Sequence, residues 1–247
     1  MTTNKLKTFY KYVRFFLLFS ILANIAVIIY FGLSTTPGDE RAIQEDLSFR
    51  IQLIFVATVT FVATYLPSFI ETKQIFRFPE FLQITIIIFI LAAGYISQFF
   101  DLFVRFYWWD DVLHFTSGTF IAFAGFLLIY KLNHRYSFDL NPWLIAVFTF
   151  SFSIAVAVFW EIGEFLSDWF FQTNYQKWDV PPDTPLIGKR YQGLALRDTM
   201  ADLIIASIGA ILVSIYAFLA VSTKKEETLK EIRRLVEEKN EKSNRSD

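Results

Sequence analysis

Six stretches of the chain contain no Asp, Glu, Lys or Arg: Phe15 to Leu33, Ile51 to Ile70, Phe81 to Phe100, Val112 to Tyr130, Leu140 to Trp160 and Leu203 to Thr223. Each has about the length at which a helix rising roughly 1.5 Å per residue crosses some 30 Å of hydrocarbon. Backbone groups in lipid must be hydrogen-bonded within their own segment, so such runs form helices even where β-branched residues crowd, as at Ile84 to Ile90. The expectation is an all-α, polytopic membrane protein with six transmembrane helices in one domain, residues 1–223, and a charged tail, residues 224–247. Composition agrees, because 54% hydrophobic and 19% aromatic residues are too many for a domain that keeps a wet surface.

Orientation follows from the basic residues. Lys5, Lys7, Lys11 and Arg14 precede the first run, which is long and lacks a small-residue cleavage site, so it reads as a retained span rather than a signal peptide. If the spans alternate, 16 Lys and Arg fall on the side of the two termini and 7 on the other. By the positive-inside rule both termini are cytoplasmic and the chain sits in the cell membrane. The tail carries Leu229, Ile232, Leu235 and Val236 at helical spacing, which predicts a short amphipathic cytosolic helix. The longest outer loop, Phe171 to Leu196, holds Pro181, Pro182, Pro185, Gly188 and Gly193 among aromatics and reads as an irregular segment that could cover a site.

Much chemistry is excluded. With no cysteine there is no disulfide, Cys-ligated zinc, iron–sulfur cluster or thiol nucleophile. Two histidines rule out sites needing several imidazoles, and near-balanced charge gives no signal for nucleic acid. No internal repeat is visible. The oligomeric state is not legible.

The first three runs are free of ionisable groups, whereas the last three end in a dense polar constellation that the topology places at the outer face. The fourth span opens on Asp110, Asp111 and His114; the two carboxylates lie four and three residues from the imidazole and so share a helix face with it. The fifth closes on Glu161, Glu164 and Asp168, on one stripe. The sixth opens with Arg197, Asp198 and Asp202. Each stripe continues inward as small residues: Gly118, Ala122 and Gly125; Ala157 and Ser153; Ala206, Gly209 and Ala210. Small faces are packing faces in membranes, which turns the three acidic stripes toward one another.

Capping accounts for part of this. Asp110 or Asp111 and Asp198 suit helix amino-terminal caps, and the helix dipole favours Asp202 in a first turn. The fifth helix differs: it starts at an Asn141 cap and Pro142, so its acids stand at the carboxyl end, where the dipole opposes negative charge. Carboxylates about 5 Å apart repel by roughly 3 kcal/mol at an effective dielectric near 20, so the cluster must hold a proton or a cation. His114, Arg105, Lys189, Arg190 and Arg197 are the candidate protein cations. Oxygen ligands with at most one imidazole suit Mg²⁺, Mn²⁺ or Ca²⁺, and Zn²⁺ less comfortably. On this reading Glu161, Glu164 and His114 are the acid–base candidates and Asp111, Asp198 and Asp202 the metal ligands, with Asp110, Asp168, Gln192 and Arg197 in a second ring. Ser117 lies three residues from His114, but no oxyanion-hole motif accompanies it.

The run Asp110 to Gly118 (D-D-V-L-H-F-T-S-G), the run Trp160 to Glu164 (W-E-I-G-E), and Gln192-Gly193 followed by Asp198-Thr199, Asp202 and Gly209-Ala210 resemble the YjdF-like inner-membrane protein family. That family places an acidic residue directly after Gln-Gly, where Leu194 stands here. The Asp110 to Phe115 pattern and the late Asp with a Gly-Ala pair are also similar, more distantly, to VanZ-like membrane proteins, which implies work at the cell envelope. Three readings stay open: an enzyme or receptor for an amphipathic envelope molecule such as a lipid-linked precursor or phospholipid, using a divalent cation; an ion- or proton-coupled carrier or sensor; and a purely structural polar cluster.

Overall fold

The computed structural model describes residues 4–34, 40–72, 80–181 and 184–223. The expected tail helix and Pro182 lie outside them. Every regular element among the described residues is helical: α1 (Asn4–Ser34), α2 (Glu40–Ala63), α3 (Leu66–Thr72), α4 (Glu80–Leu91), α5 (Ser97–Phe99), α6 (Leu102–Arg105), α7 (Trp109–Tyr136), α8 (Pro142–Phe171) and α9 (Leu194–Ser222). Among the described residues six helical segments are long and apolar enough to cross a membrane: Asn4–Phe31, Asp46–Thr72, Leu82–Phe99, Trp109–Tyr136, Pro142–Phe170 and Leu194–Ser222. Each coincides with one of the uncharged runs. Large apolar side chains such as Phe15, Phe19, Phe159 and Leu212 are exposed along them, as lipid-facing surfaces require. The chain divides into two compact units, Met1–Arg105 and Phe106–Asp247.

In the first unit α1 buries Leu6, Tyr10, Val13 and Leu17, one stripe at helical spacing, against Leu53, Ala57, Ile87 and Tyr95. The second and third spans are less regular than their uninterrupted hydrophobicity suggests. Pro67 supplies no N–H to the preceding turn, so the second span breaks between α2 and α3. Arg14 reaches this break: its Nε donates to Thr64 Oγ1 at 3.0 Å and its Nη2 to the Thr64 carbonyl at 3.1 Å. The third span carries a π turn at Ala92–Ile96, beside which Tyr95 and Ser20 share a hydrogen bond.

The second unit is a bundle of α7, α8 and α9. Asn141 caps α8, its side chain accepting the Trp143 N–H at 2.8 Å, and Pro142 occupies the first position, where a missing N–H costs nothing. The small residues make the contacts. A Cβ on Gly118 would collide with the Ala206 backbone, one on Gly209 with the Phe115 carbonyl, and one on Gly125 with the Phe152 ring. Ser153 Oγ on α8 donates to the Gly118 carbonyl on α7 at 2.8 Å. Ala122, Ala206 and Ala210 are almost fully buried. Helix backbones therefore approach closely just below the acidic residues.

Candidate functional site

Helix geometry delivers the acids to one end of this bundle: Asp110 and His114 from the start of α7, Asp198 and Asp202 from the first turns of α9, Glu161 from two-thirds of the way along α8. None of the aspartates is an amino-terminal cap. The cap positions are Trp108 and Gly193, neither making a side-chain cap bond, and α9 starts at Leu194, before Asp198. The helix dipole still favours Asp110 in the first turn of α7, but helix ends leave Glu161, Asp198 and Asp202 unexplained.

His114 stands at the centre. Its Nε2 is 3.5 Å from Asp110 Oδ1 and 3.8 Å from Asp202 Oδ2, and its Nδ1 is 3.9 Å from Glu161 Oε1. Asp110, His114 and Asp202 offer ligand atoms within 4.8 Å of one another. All are buried, Asp198 and Asp202 to 1% exposure and Glu161 to 5%. Both oxygens of Glu161, both of Asp202, and Asp198 Oδ2 are buried without a hydrogen-bond partner among the described residues. Groups of this kind cost free energy unless a proton, water or cation satisfies them.

The cluster does contain one fixed cation, which the sequence reading passed over. Lys177 Nζ lies 2.6 Å from Asp110 Oδ2 and 2.6 Å from Asp198 Oδ1. Burial pulls the Lys177 ammonium toward neutrality, but the two carboxylates outweigh it and hold its pKa above the ordinary lysine value. It is charged at any physiological pH. No helical spacing signals Lys177, which is 67 residues from Asp110 and lies in the irregular loop. Asp168 builds the support. Its Oδ1 accepts from Thr173 Oγ1 at 2.6 Å and the Tyr175 N–H at 2.8 Å, and its Oδ2 from the Gln176 N–H at 2.9 Å. Gln176 Nε2 then donates to Thr199 Oγ1 on α9 at 2.9 Å. The loop carrying Lys177 is thereby tied to both helices. Tyr175 beside it is held protonated, first by burial and then by the nearby Glu164 and Asp168 carboxylates.

The other expected residues stand outside the group of ligand atoms formed by Asp110, His114 and Asp202. Asp111 is outside the group with mutually close ligand atoms, and Asp110, one residue earlier, is in it. Glu164 Oε1 accepts from Trp160 Nε1 at 2.8 Å on its own helix. Arg197 is buried but pairs with no carboxylate among the described residues; its Nε donates to the Ile187 carbonyl at 2.9 Å and its Nη2 to that of Leu186, fastening the loop. Gln192 is exposed in a short 3₁₀ turn, where its Oε1 accepts the Lys189 N–H at 2.6 Å. Phe165, Asp168, Trp169, Gln176 and Trp178 line an open groove of about 360 Å³.

Four carboxylates, Asp110, Glu161, Asp198 and Asp202, thus face one lysine and one histidine. With all four ionised they would outnumber these two cations even if His114 were protonated, so a proton or a further cation must make up the difference.

No curated protein and no solved structure matches the chain significantly. A family model does match, over residues 16–223, and the chain belongs to the family described as "Predicted membrane protein (DUF2238)".

Proposed function

We propose that this multi-pass membrane protein binds a divalent cation between Asp110, His114 and Asp202, and uses it at the outer membrane boundary to act on or recognise an amphipathic envelope molecule. The observation that carries the proposal is the set of orphaned, buried oxygens on Glu161 and Asp202 around His114. Oxygen donors with a single imidazole favour Mg²⁺, Mn²⁺ or Ca²⁺ over Zn²⁺. His114 would ligate through Nε2 while Nδ1–H addresses Glu161, the carboxylate–histidine–metal arrangement that fixes tautomer and ring orientation. Lys177, bound to Asp110 Oδ2, leaves Oδ1 for the ion.

The boundary location supports the amphipathic ligand. A headgroup could meet the cation, which would polarise a phosphoryl oxygen or a water, while its apolar part lies along exposed aromatics such as Trp169 and Trp178. The more distant resemblance of the Asp110 to Phe115 pattern to VanZ-like proteins would imply work at the envelope, and the distribution of basic residues supports cytoplasmic termini.

Elemental analysis of the purified full-length protein, equilibrated with Mn²⁺ and freed of excess, tests the ion. Stoichiometric metal is expected in the wild type. Asp202→Asn should abolish it, and Glu161→Gln should weaken binding by about 10- to 100-fold, the usual cost of removing the carboxylate behind a ligating histidine. No metal in the wild type, or equal metal in all three proteins, overturns the proposal and leaves protons as the compensating charge. Retention of a lipid-linked precursor by the Mn²⁺-loaded protein, lost on chelation, tests the ligand.

A further inference from the structure

The first unit holds a second polar cleft, of about 240 Å³, lined by Lys7, Tyr10, Arg14, Ser68, Glu71 and Gln83. We propose that it binds the phosphate group of a membrane phospholipid.

Lys7, Tyr10 and Arg14 follow one another at three and four residues along α1 and so share a face. The Arg14 guanidinium is fixed by its two bonds to Thr64 and by the Tyr65 ring, whose centroid is 3.6 Å from Cζ. Those bonds occupy Nε and one N–H of Nη2, and its remaining N–H groups have no partner among the described residues. A guanidinium held rigidly with donors to spare is well suited to phosphate, and Lys7, exposed and without an ion pair among the described residues, adds a mobile point charge. Among the described residues that line the cleft Glu71 is the one acid, and its Oε1 accepts from Gln83 Nε2 at 2.9 Å. Two cations against one carboxylate leave the cleft positive, which selects an anion.

The lipid is argued from the rim. Tyr65, Leu66 and Phe69, beside Ser68 on the broken second span, are 46%, 50% and 55% exposed and offer an apolar wall on which acyl chains can lie. Inorganic phosphate shares the headgroup chemistry but would gain nothing from that wall.

The test is native mass spectrometry of the full-length protein with phosphatidylglycerol, phosphatidylcholine or inorganic phosphate. Phosphatidylglycerol should bind more tightly than phosphatidylcholine. Arg14→Gln should weaken phosphatidylglycerol about tenfold or more, as loss of a charge-assisted hydrogen bond does, and Lys7→Gln by several-fold. Glu71→Gln should strengthen it, an effect that a merely structural Arg14 would not give. Displacement of the lipid by millimolar phosphate would support the site and make soluble phosphate its source; failure of phosphate to compete would support the site with lipid as its source. Because Arg14 also closes the helix break, Lys7→Gln, on an exposed position, is the deciding variant. Unchanged phosphatidylglycerol affinity in both Lys7→Gln and Glu71→Gln overturns the proposal.

Discussion

Replacing Lys177 by Met keeps most of the stem and removes the charge, isolating what the ammonium does. In the native protein it closes two charge-assisted hydrogen bonds of 2.6 Å, to Asp110 and to an Asp198 that is 1% exposed. Removing one partner of a buried ion pair costs about 3 to 5 kcal/mol, because the surviving charge stays buried and unpaired. At roughly 2 to 4 °C per kcal/mol for a chain of this size, the midpoint should fall by about 6 to 20 °C. The assay is thermal unfolding of wild type and Lys177→Met in one detergent between pH 6 and 9. Lys177 has a raised pKa in the folded state, so its contribution is fully present below the ordinary lysine value near 10.4 and is lost only as pH rises through the higher folded value. The part of the difference that reflects Lys177's own titration should therefore be flat across that range. Loss of the ammonium also removes a repulsive neighbour of the proposed ion, so millimolar Mn²⁺ should recover more of the midpoint in the variant than it adds to the wild type. A midpoint within 1 or 2 °C of wild type would refute the reasoning, since it would mean that Lys177 is not the counter-ion of Asp110 and Asp198.

Three further outcomes follow from the same contacts. Asp168→Ala releases the Tyr175 and Gln176 N–H groups and should loosen the loop that carries Lys177, raising its proteolysis rate; because both changes act on one network, the Asp168→Ala, Lys177→Met double variant should lose less stability than the two singles added together. Gly118→Val drives a side chain into the Ala206 backbone and should cost more in thermal midpoint than Gly125→Ala, which meets only the Phe152 ring. Single cysteines introduced at Tyr191 and Phe138 into this cysteine-free chain should label from opposite sides of intact cells, Tyr191→Cys from outside, if both termini are cytoplasmic.

The transmembrane helices were legible because one physical rule, satisfaction of the backbone in lipid, acts on every residue of a run. The convergence of α7, α8 and α9 was legible for a related reason: Gly118, Ser153 and Ala206 lie one or two turns from the acids on their own helices, and helical periodicity carries the packing face to the polar one. That reasoning ends where the helices end. It preferred Asp111 to Asp110 as a ligand, whereas Asp110 is the one grouped with His114 and Asp202; both lie within reach of His114 along the helix, and the choice depends on the rotation of α7 against α9. Lys177 was invisible because a loop has no period; its position is set by Asp168 collecting backbone N–H groups several residues later. Pro67 was visible, but the uninterrupted hydrophobicity around it concealed that a break can be repaired by an arginine from another span.

The placement of small residues also bears on which kind of membrane function fits the site. A carrier needs a polar route past its ion site. Immediately inward of the cluster, Gly118 lies against the Ala206 backbone, the Ser153 hydroxyl is spent on the Gly118 carbonyl, and Ala122 and Ala210 are fully buried. These contacts set helix backbones directly against one another, and Thr149, the next buried polar group on α8, turns its hydroxyl back to the Ile145 carbonyl. The buried acid and histidine cluster of this unit thus stands at one end of the bundle, next to closely packed small residues. That arrangement favours a site that meets its ligand at the interface over one that passes an ion through. An ion flux in proteoliposomes that Glu161→Gln abolishes would reverse this argument, because a closed α7–α9 contact cannot conduct without separating the backbones at Gly118 and Gly209.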